Sequence, residues 1–188
     1  NGYFWGYSFS KLGRFKTFLL DMLLNRFRVF SYSDENISRF ITKAKSAIYL
    51  HGYSSMLYEV AKIMNEKGIK IEGVKLLKGT SEKIHDHYNN ATATAFGLPI
   101  VSEYGAAESG IIGFECPEGN MHVNHETCIV EELDGEILVT NLWSYSFPII
   151  RYKLGDAISL SDVKCPCGRS HQVISDVLGR VGKNIIGR

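Results

Sequence analysis

The chain has 188 residues, 45% of them hydrophobic and 22% charged, with a formal net charge of +1, which is the composition of an ordinary globular chain able to bury one substantial core. Near-neutrality removes the electrostatic case for nucleic acid or anionic lipid as a partner, and apolar stretches such as residues 17–24 break off well before the roughly 20 positions a membrane helix requires. Four cysteines are too few for a disulfide-dense secreted scaffold and two stand together in Cys165-Pro166-Cys167, so a cytoplasmic metal-binding chain is expected.

The amino end, Asn1-Gly2-Tyr3-Phe4-Trp5, has no initiator Met and none of the charge or apolar pattern of a signal peptide, so the chain is expected to be an internal piece of a longer protein. The aromatic residues Tyr3, Phe4, Trp5, Tyr7 and Phe9 are assigned to packing. Apolar positions at Leu12, Phe15, Phe18, Leu19, Met22 and Leu23 follow a helical period over residues 11–27, with Ser10 as cap, and predict an amphipathic helix packed on something larger. A second helix starts near Asp34 and turns Ile37, Phe40 and Ile41 inward. Then come a strand at 47–50, a helix over 55–67 stopped by Gly68, and a strand at 71–77. A helix over 81–96 stopped by Gly97 and a strand at 99–103 complete the series. This β-α-β-α-β order predicts a parallel sheet, with ligands gathered at the carboxyl ends of its strands.

Three segments fall at those ends: His51-Gly52-Tyr53-Ser54, Gly79-Thr80-Ser81-Glu82, and Glu103-Tyr104-Gly105-Ala106-Ala107-Glu108-Ser109. Beyond Gly110 helical periodicity gives way to strand-like runs at 122–123, 127–131, 136–140 and 149–152, with a turn at Leu133-Asp134-Gly135, which predict a small antiparallel β lobe. The expected fold class is α/β: residues 1–112 a parallel-sheet lobe, 113–178 a β-rich lobe, and 179–188 a short segment after it.

In chain order stand Tyr104-Gly105-Ala106-Ala107-Glu108, Arg151-Tyr152-Lys153-Leu154-Gly155-Asp156, Cys165-Pro166-Cys167-Gly168-Arg169 and Gly179-Arg180. Together these resemble the motifs of the adenylate-forming superfamily of acyl-CoA synthetases, in particular its phenylacetate-CoA ligase branch and the CapK-like capsular polysaccharide proteins. The resemblance implies that Tyr104 lies against the adenine of ATP or AMP, where a ring offers stacking area, and that Gly105 admits close backbone approach. It implies that Glu108 acts in catalysis by holding Mg²⁺, a hard cation that favours carboxylate oxygen. Gly79, Thr80 and Ser81 match the segment wrapped around the other adenine face, and Thr80 or Ser81 also suits a helix cap. Glu103 and Ala107 belong to the same nucleotide-contacting motif. Ala107 stands where a threonine hydroxyl is usual, so the phosphate contact is either lost or supplied by Ser109. Asp156 is implied to take both ribose hydroxyls, two oxygens suiting a vicinal diol, although Lys153 and Leu154 replace the usual arginine and threonine. Arg180 is implied to reach ribose or phosphate at the hinge, with Gly182 as pivot in place of an aspartate.

Thiolates one residue apart, as in Cys165 and Cys167, can both bind one ion. Cys116 and His122 are the best further ligands and match cysteine and histidine positions of the phenylacetate-CoA ligase branch; His125 and His171 stand in reserve. A closed Cys₃His set implies structural rather than catalytic zinc. Cys128, in a strand-like run, reads as a core thiol. His85 and His87, two apart on the predicted helix, point to different sides of it and are assigned to solvent.

The implied function is the ATP/AMP-binding part of an AMP-forming ligase that activates a small carboxylic acid as its acyl-adenylate, with CoA or another thiol as acceptor. Neither a phosphate loop before Gly79 nor a lysine-bearing domain after Arg188 is visible, so the chain alone is expected to bind nucleotide without turnover. The alternative is a zinc-stabilised scaffold with a degenerate nucleotide site.

Overall fold

The computed structural model describes residues 2–4, 11–29 and 31–181, with the side chains of 2–4, 11, 12 and 14 left aside. The chain divides into two compact units, Asn1–Ser102 and Glu103–Arg188, earlier than the 112/113 boundary set by the loss of helical periodicity.

The first unit runs β1 (Gly2–Phe4), α1 (Lys11–Leu23), β2 (Phe27–Val29), α2 (Asp34–Ala44), β3 (Tyr49–Tyr53), α3 (Ser54–Glu66), β4 (Leu76–Thr80) and α4 (Asp86–Phe96). Its strands lie in the order β2-β1-β3-β4 and every pair is parallel. The core is the meeting of α2 and α3 with the sheet: Ile37, Phe40, Leu50, Leu57, Val60, Met64 and Leu77 are sealed from water, the burial that drives such layering. Ser33 caps α2 through its hydroxyl, and Gly97 ends α4 in the left-handed conformation at φ 73°. The N-terminus of α3 has no side-chain cap of its own; Glu82 supplies one from outside, its carboxylate accepting from the Ser55 N–H at 2.8 Å.

Several expectations for this unit are corrected. The strand expected at 71–77 is β4, Leu76–Thr80, because pairing with β3 carries it on to Gly79 opposite Gly52 and Thr80 opposite Tyr53, while the Ile71 N–H donates instead to the Ala95 carbonyl. The helix expected from 81 begins at Asp86: Ser81 is left-handed at φ 65°, and His85 is the N-cap, so neither Thr80 nor Ser81 caps it. With His85 outside the helix, its ring stacks on that of His87 at 5.5 Å between centroids, and the two do not face apart. The apolar face of α1 stays open among the described residues, with Phe15, Phe18 and Met22 at 60, 64 and 62% exposure. Ser10, Trp5, Tyr7 and Phe9 lie outside the described residues.

Strand β5 (Ile100–Ala106) leads into the second unit, which holds β6 (Gly110–Glu115), β7 (Met121–Val123), β8 (Cys128–Leu133), β9 (Glu136–Asn141), β10 (Tyr152–Ser161) and β11 (Val173–Arg180). These are antiparallel in the order β5-β6-β7-β11-β10-β9-β8. Ile112, Val123, Cys128, Ile137, Val139 and Ile158 form its core; Cys128 is fully buried there and burial pushes its thiol pKa up. The β8–β9 hairpin closes on Asp134 and Gly135, both at positive φ (54° and 77°), as a two-residue turn of the primed type requires. The strand run expected at 149–152 contributes only Tyr152, the first residue of β10, since Arg151 is left-handed at φ 46°. The mixed α/β class, parallel first and antiparallel after, is as expected.

Candidate functional site: a carboxylate cluster and a thiol cluster

Asp156 and Arg180 face each other across β10 and β11 as a registered pair. Gly155, at φ 75°, breaks the register of β10 against β9 between Lys153 and Ala157, a bulge that re-aims the next side chain. Asp156 is 8% exposed. Its Oδ2 accepts the Tyr104 hydroxyl at 2.8 Å and its Oδ1 lies 3.0 Å from Arg180 Nε. Arg180 is further held by its Nη1, which donates to the Leu154 carbonyl at 2.6 Å. Three strands thus converge on one carboxylate. A carboxylate offers about four lone-pair positions, so two acceptor sites remain beyond these bonds. Burial first, then the bond to Asp156, raises the Tyr104 phenol well above the ordinary tyrosine range. Lys153 is turned elsewhere, 2.8 Å from Glu136.

Glu108 and Ala107 are exposed in the turn joining β5 to β6. Ser109, the expected substitute for a threonine hydroxyl, is 1% exposed and its Oγ has no protein partner among the described residues. Glu103, Tyr104 and Gly105 lie within β5 itself, not in a loop past its end. A Cβ on Gly105 would stand 2.5 Å from the Gly110 carbonyl oxygen, so the hairpin can close only over glycine. In the first unit, Gly79 and Thr80 end β4 and Ser81 follows it exposed; a Cβ on Gly79 would meet Ser54 Oγ at 2.5 Å and Ile100 Cγ2 at 2.6 Å. Gly182 lies outside the described residues.

The second cluster is built by two turns and a strand. Cys116 follows β6 in a turn closed by the Gly119 N–H on its carbonyl, His122 sits in β7, and Cys165 and Cys167 follow β10 in a turn closed by the Gly168 N–H on the Cys165 carbonyl. The ligand atoms of Cys116, His122, Cys165 and Cys167 all lie within 4.8 Å of one another. Cys116 Sγ is 3.7 Å from Cys165 Sγ and Cys167 Sγ is 3.4 Å from His122 Nε2. A tetrahedron with metal–sulfur bonds of ~2.3 Å and a metal–nitrogen bond of ~2.05 Å has S···S edges of about 3.8 Å and S···N edges of about 3.5 Å. Both spacings therefore match one shared ion, and the sulfur pair is far too long for a disulfide. His122 Nδ1 lies 3.0 Å from the His171 carbonyl, an arrangement that protonates Nδ1 and leaves the Nε2 lone pair toward the cluster. The backbone N–H of Arg169 draws the Cys167 thiol from 9.0 down to about 6. His171 serves through its carbonyl, and its own Nδ1 is 3.1 Å from the Val123 carbonyl; neither it nor His125 joins the four.

No family model matches the chain. It is 24% identical over 149 residues to Protein CapK of Staphylococcus aureus, covering 74% of this chain and 33% of that protein. It is 31% identical over 119 residues to the indoleacetate–lysine synthetase of Pseudomonas savastanoi, covering 60% of this chain and 29% of the relative. Among solved structures, 2-hydroxyisobutyryl-CoA ligase in complex with 2-HIB-AMP and CoA superposes with a TM-score of 0.73 at 17% identity, over 97% of this chain and 48% of that one. The chain has the mixed α/β fold of this adenylate-forming ligase. Apo MatB from Rhodopseudomonas palustris shares this adenylate-forming fold at a TM-score of 0.59 and 12% identity, over 99% of this chain and 41% of that one. The chain spans about a third of the length of the curated relatives it matches.

Within the chain the individual motifs were legible, but the bond from Tyr104 to Asp156 was not, since 52 residues separate them. The hydrogen bond from His122 to the His171 carbonyl had no signal in the sequence either. No helix among the described residues is long and apolar enough to cross a membrane.

Proposed function

We propose that the chain is the ATP/AMP-binding part of an AMP-forming ligase that activates a carboxylic acid as its acyl-adenylate for transfer to CoA or another thiol. The observation that carries this reading is the Tyr104–Asp156–Arg180 convergence: a buried carboxylate with two acceptor positions left over, beside an aromatic ring and a guanidinium. An aromatic face, a diol acceptor and a cation are what adenine, ribose and phosphate call for. The reaction is attack of a carboxylate oxygen on the α-phosphorus of ATP with departure of pyrophosphate, and the chain's part in it is positioning and charge neutralisation. In this reading Glu108 holds the Mg²⁺ that neutralises the phosphates, with Glu103, Gly105 and Ala107 in the same nucleotide-contacting segment. Gly79, Thr80 and Ser81 keep their proposed contact with adenine, and the protein works in the cytoplasm. Cys116, His122, Cys165 and Cys167 hold a structural Zn²⁺: all four positions of the tetrahedron are filled, so the ion pins turns and has no open site for chemistry.

Calorimetric titration with AMP tests the reading. Binding that falls at least tenfold in Asp156→Ala, with an unchanged fold by circular dichroism, is expected. Absence of AMP and ATP binding by a folded, zinc-loaded chain would instead favour the second reading, a zinc-stabilised scaffold, to which Ala107 in place of a hydroxyl residue lends support.

A further inference from the structure

The β5–β6 turn that carries Glu108 is short, exposed at Ala107 and Glu108, and joined to β9 by the side chain of Asn141. Asn141, the last residue of β9, donates from Nδ2 to the Ser109 carbonyl at 2.7 Å, while its Oδ1 accepts the Trp143 N–H at 2.7 Å. A carboxamide used at both ends in this way is a rigid brace: its oxygen is committed, so its nitrogen has one direction in which to donate. The seating is close, since a Cβ on Gly110 would stand 3.9 Å from Asn141 Nδ2, and Gly110 is at positive φ (73°). Ser109 cannot do the work itself, because its hydroxyl is buried with no protein partner among the described residues.

We propose that Asn141 is a positioning residue for the metal-binding carboxylate: by holding the peptide of Ser109 it fixes the turn from which Glu108 reaches the nucleotide-bound Mg²⁺. This rests on the Mg²⁺ role assigned to Glu108 above. Asn141 touches neither nucleotide nor metal, and it acts through the backbone. Freed of the brace, the exposed turn samples other conformations, and part of the binding energy between carboxylate and ion goes into reordering it. The predicted signature is therefore a loss confined to the Mg²⁺-dependent part of nucleotide affinity.

The experiment is calorimetric titration of the 188-residue chain and its variants with ATP, in Mg²⁺ and in EDTA, and with AMP in EDTA. For the unmodified chain ATP affinity should rise in Mg²⁺, and Glu108→Gln should abolish the rise. Asn141→Ala should cut the rise by about three- to tenfold while leaving AMP affinity in EDTA within twofold. Asn141→Asp keeps the acceptor for Trp143 and the shape of the side chain, but turns an oxygen toward the Ser109 carbonyl; it should reproduce the alanine result, and it stands in for that variant should the latter not fold. If both folded variants retain the full Mg²⁺ gain that Glu108→Gln loses, the brace is overturned and the role of Glu108 stands. If they lose AMP affinity in EDTA as much as ATP affinity in Mg²⁺, Asn141 is merely structural and the inference fails. If the unmodified chain gains nothing from Mg²⁺, or Glu108→Gln keeps the gain, the metal reading of Glu108 and this inference fall together.

Discussion

The Tyr104 hydroxyl donates to Asp156 Oδ2 at 2.8 Å and ties β5 to β10. Its consequence is a phenol that resists ionisation, through burial first and the neighbouring carboxylate second. Below about pH 10 both the folded and the unfolded chain keep the phenolic proton. Above it the unfolded chain releases that proton first, so the contribution of Tyr104 to stability is lost as pH rises. The phenolate absorbance of the unmodified chain minus that of Tyr104→Phe should show Tyr104 titrating later than ordinary tyrosine. Asp156→Asn should bring it only part of the way back, because burial remains; a full return would show that the carboxylate dominates.

Zinc should bind at one equivalent per chain and raise the thermal midpoint. A ligand bound only to the folded state stabilises it by about 4 kcal/mol when free ligand is a thousandfold above its dissociation constant. Cys165→Ser and His122→Ala should each abolish most of this gain, and Cys128→Ser, at a core thiol outside the cluster, should leave the zinc stoichiometry intact. Equal zinc loss from Cys128→Ser would count against the four-ligand assignment.

Thiol reactivity gives an independent readout. With its thiol held near 6, Cys167 is mostly thiolate at neutral pH, whereas Cys116 and Cys165 are 6 and 8% exposed and Cys128 is fully buried. In the metal-free chain iodoacetamide should alkylate Cys167 first, an order read by peptide mass spectrometry. The advantage of Cys167 should fade as pH falls through about 6 and should disappear in the zinc-loaded chain.

Gly105→Ala should be costly in a way no exposed glycine would be. The new methyl would stand 2.5 Å from a main-chain carbonyl, which cannot rotate away as a side chain can. Forced overpacking costs about 1–3 kcal/mol, and urea denaturation should report a loss in that range or larger. A loss below a few tenths would mean that the β5–β6 pairing opens freely.

In the β8–β9 hairpin, Gly135→Ala places a side chain at φ 77°, which costs roughly 1–2 kcal/mol. Asp134→Gly should be close to neutral, because glycine adopts the left-handed region without steric cost. The same denaturation assay ranks the two, and a larger loss from Asp134→Gly would contradict the turn geometry.

Local chemistry was readable from the chain directly. The 3.6-residue periods of α2 and α3, the left-handed stops at Gly68 and Gly97, and the Asp134-Gly135 turn depend on neighbours a few residues away, and a linear reading contains those neighbours. The four candidate ligands Cys116, His122, Cys165 and Cys167 were legible for a related reason: few residue types bind soft metal, and they stand in two short groups.

What tertiary structure alone decided is where strands end and which polar groups meet. Pairing with β3 carried β4 to Thr80, moving the start of α4 from 81 to Asp86, because strand length is set by the partner's register and not by composition. β6 and β11, with no distinct sequence signal, exist because β5, β7 and β10 offer them backbone partners. Tyr104 reaching Asp156, Arg180 facing it in register, and Asn141 bracing Ser109 are contacts across strands far apart in sequence. Their residue types could be listed from the chain, but hydrogen bonds depend on distance and direction, and only the folded backbone supplies both.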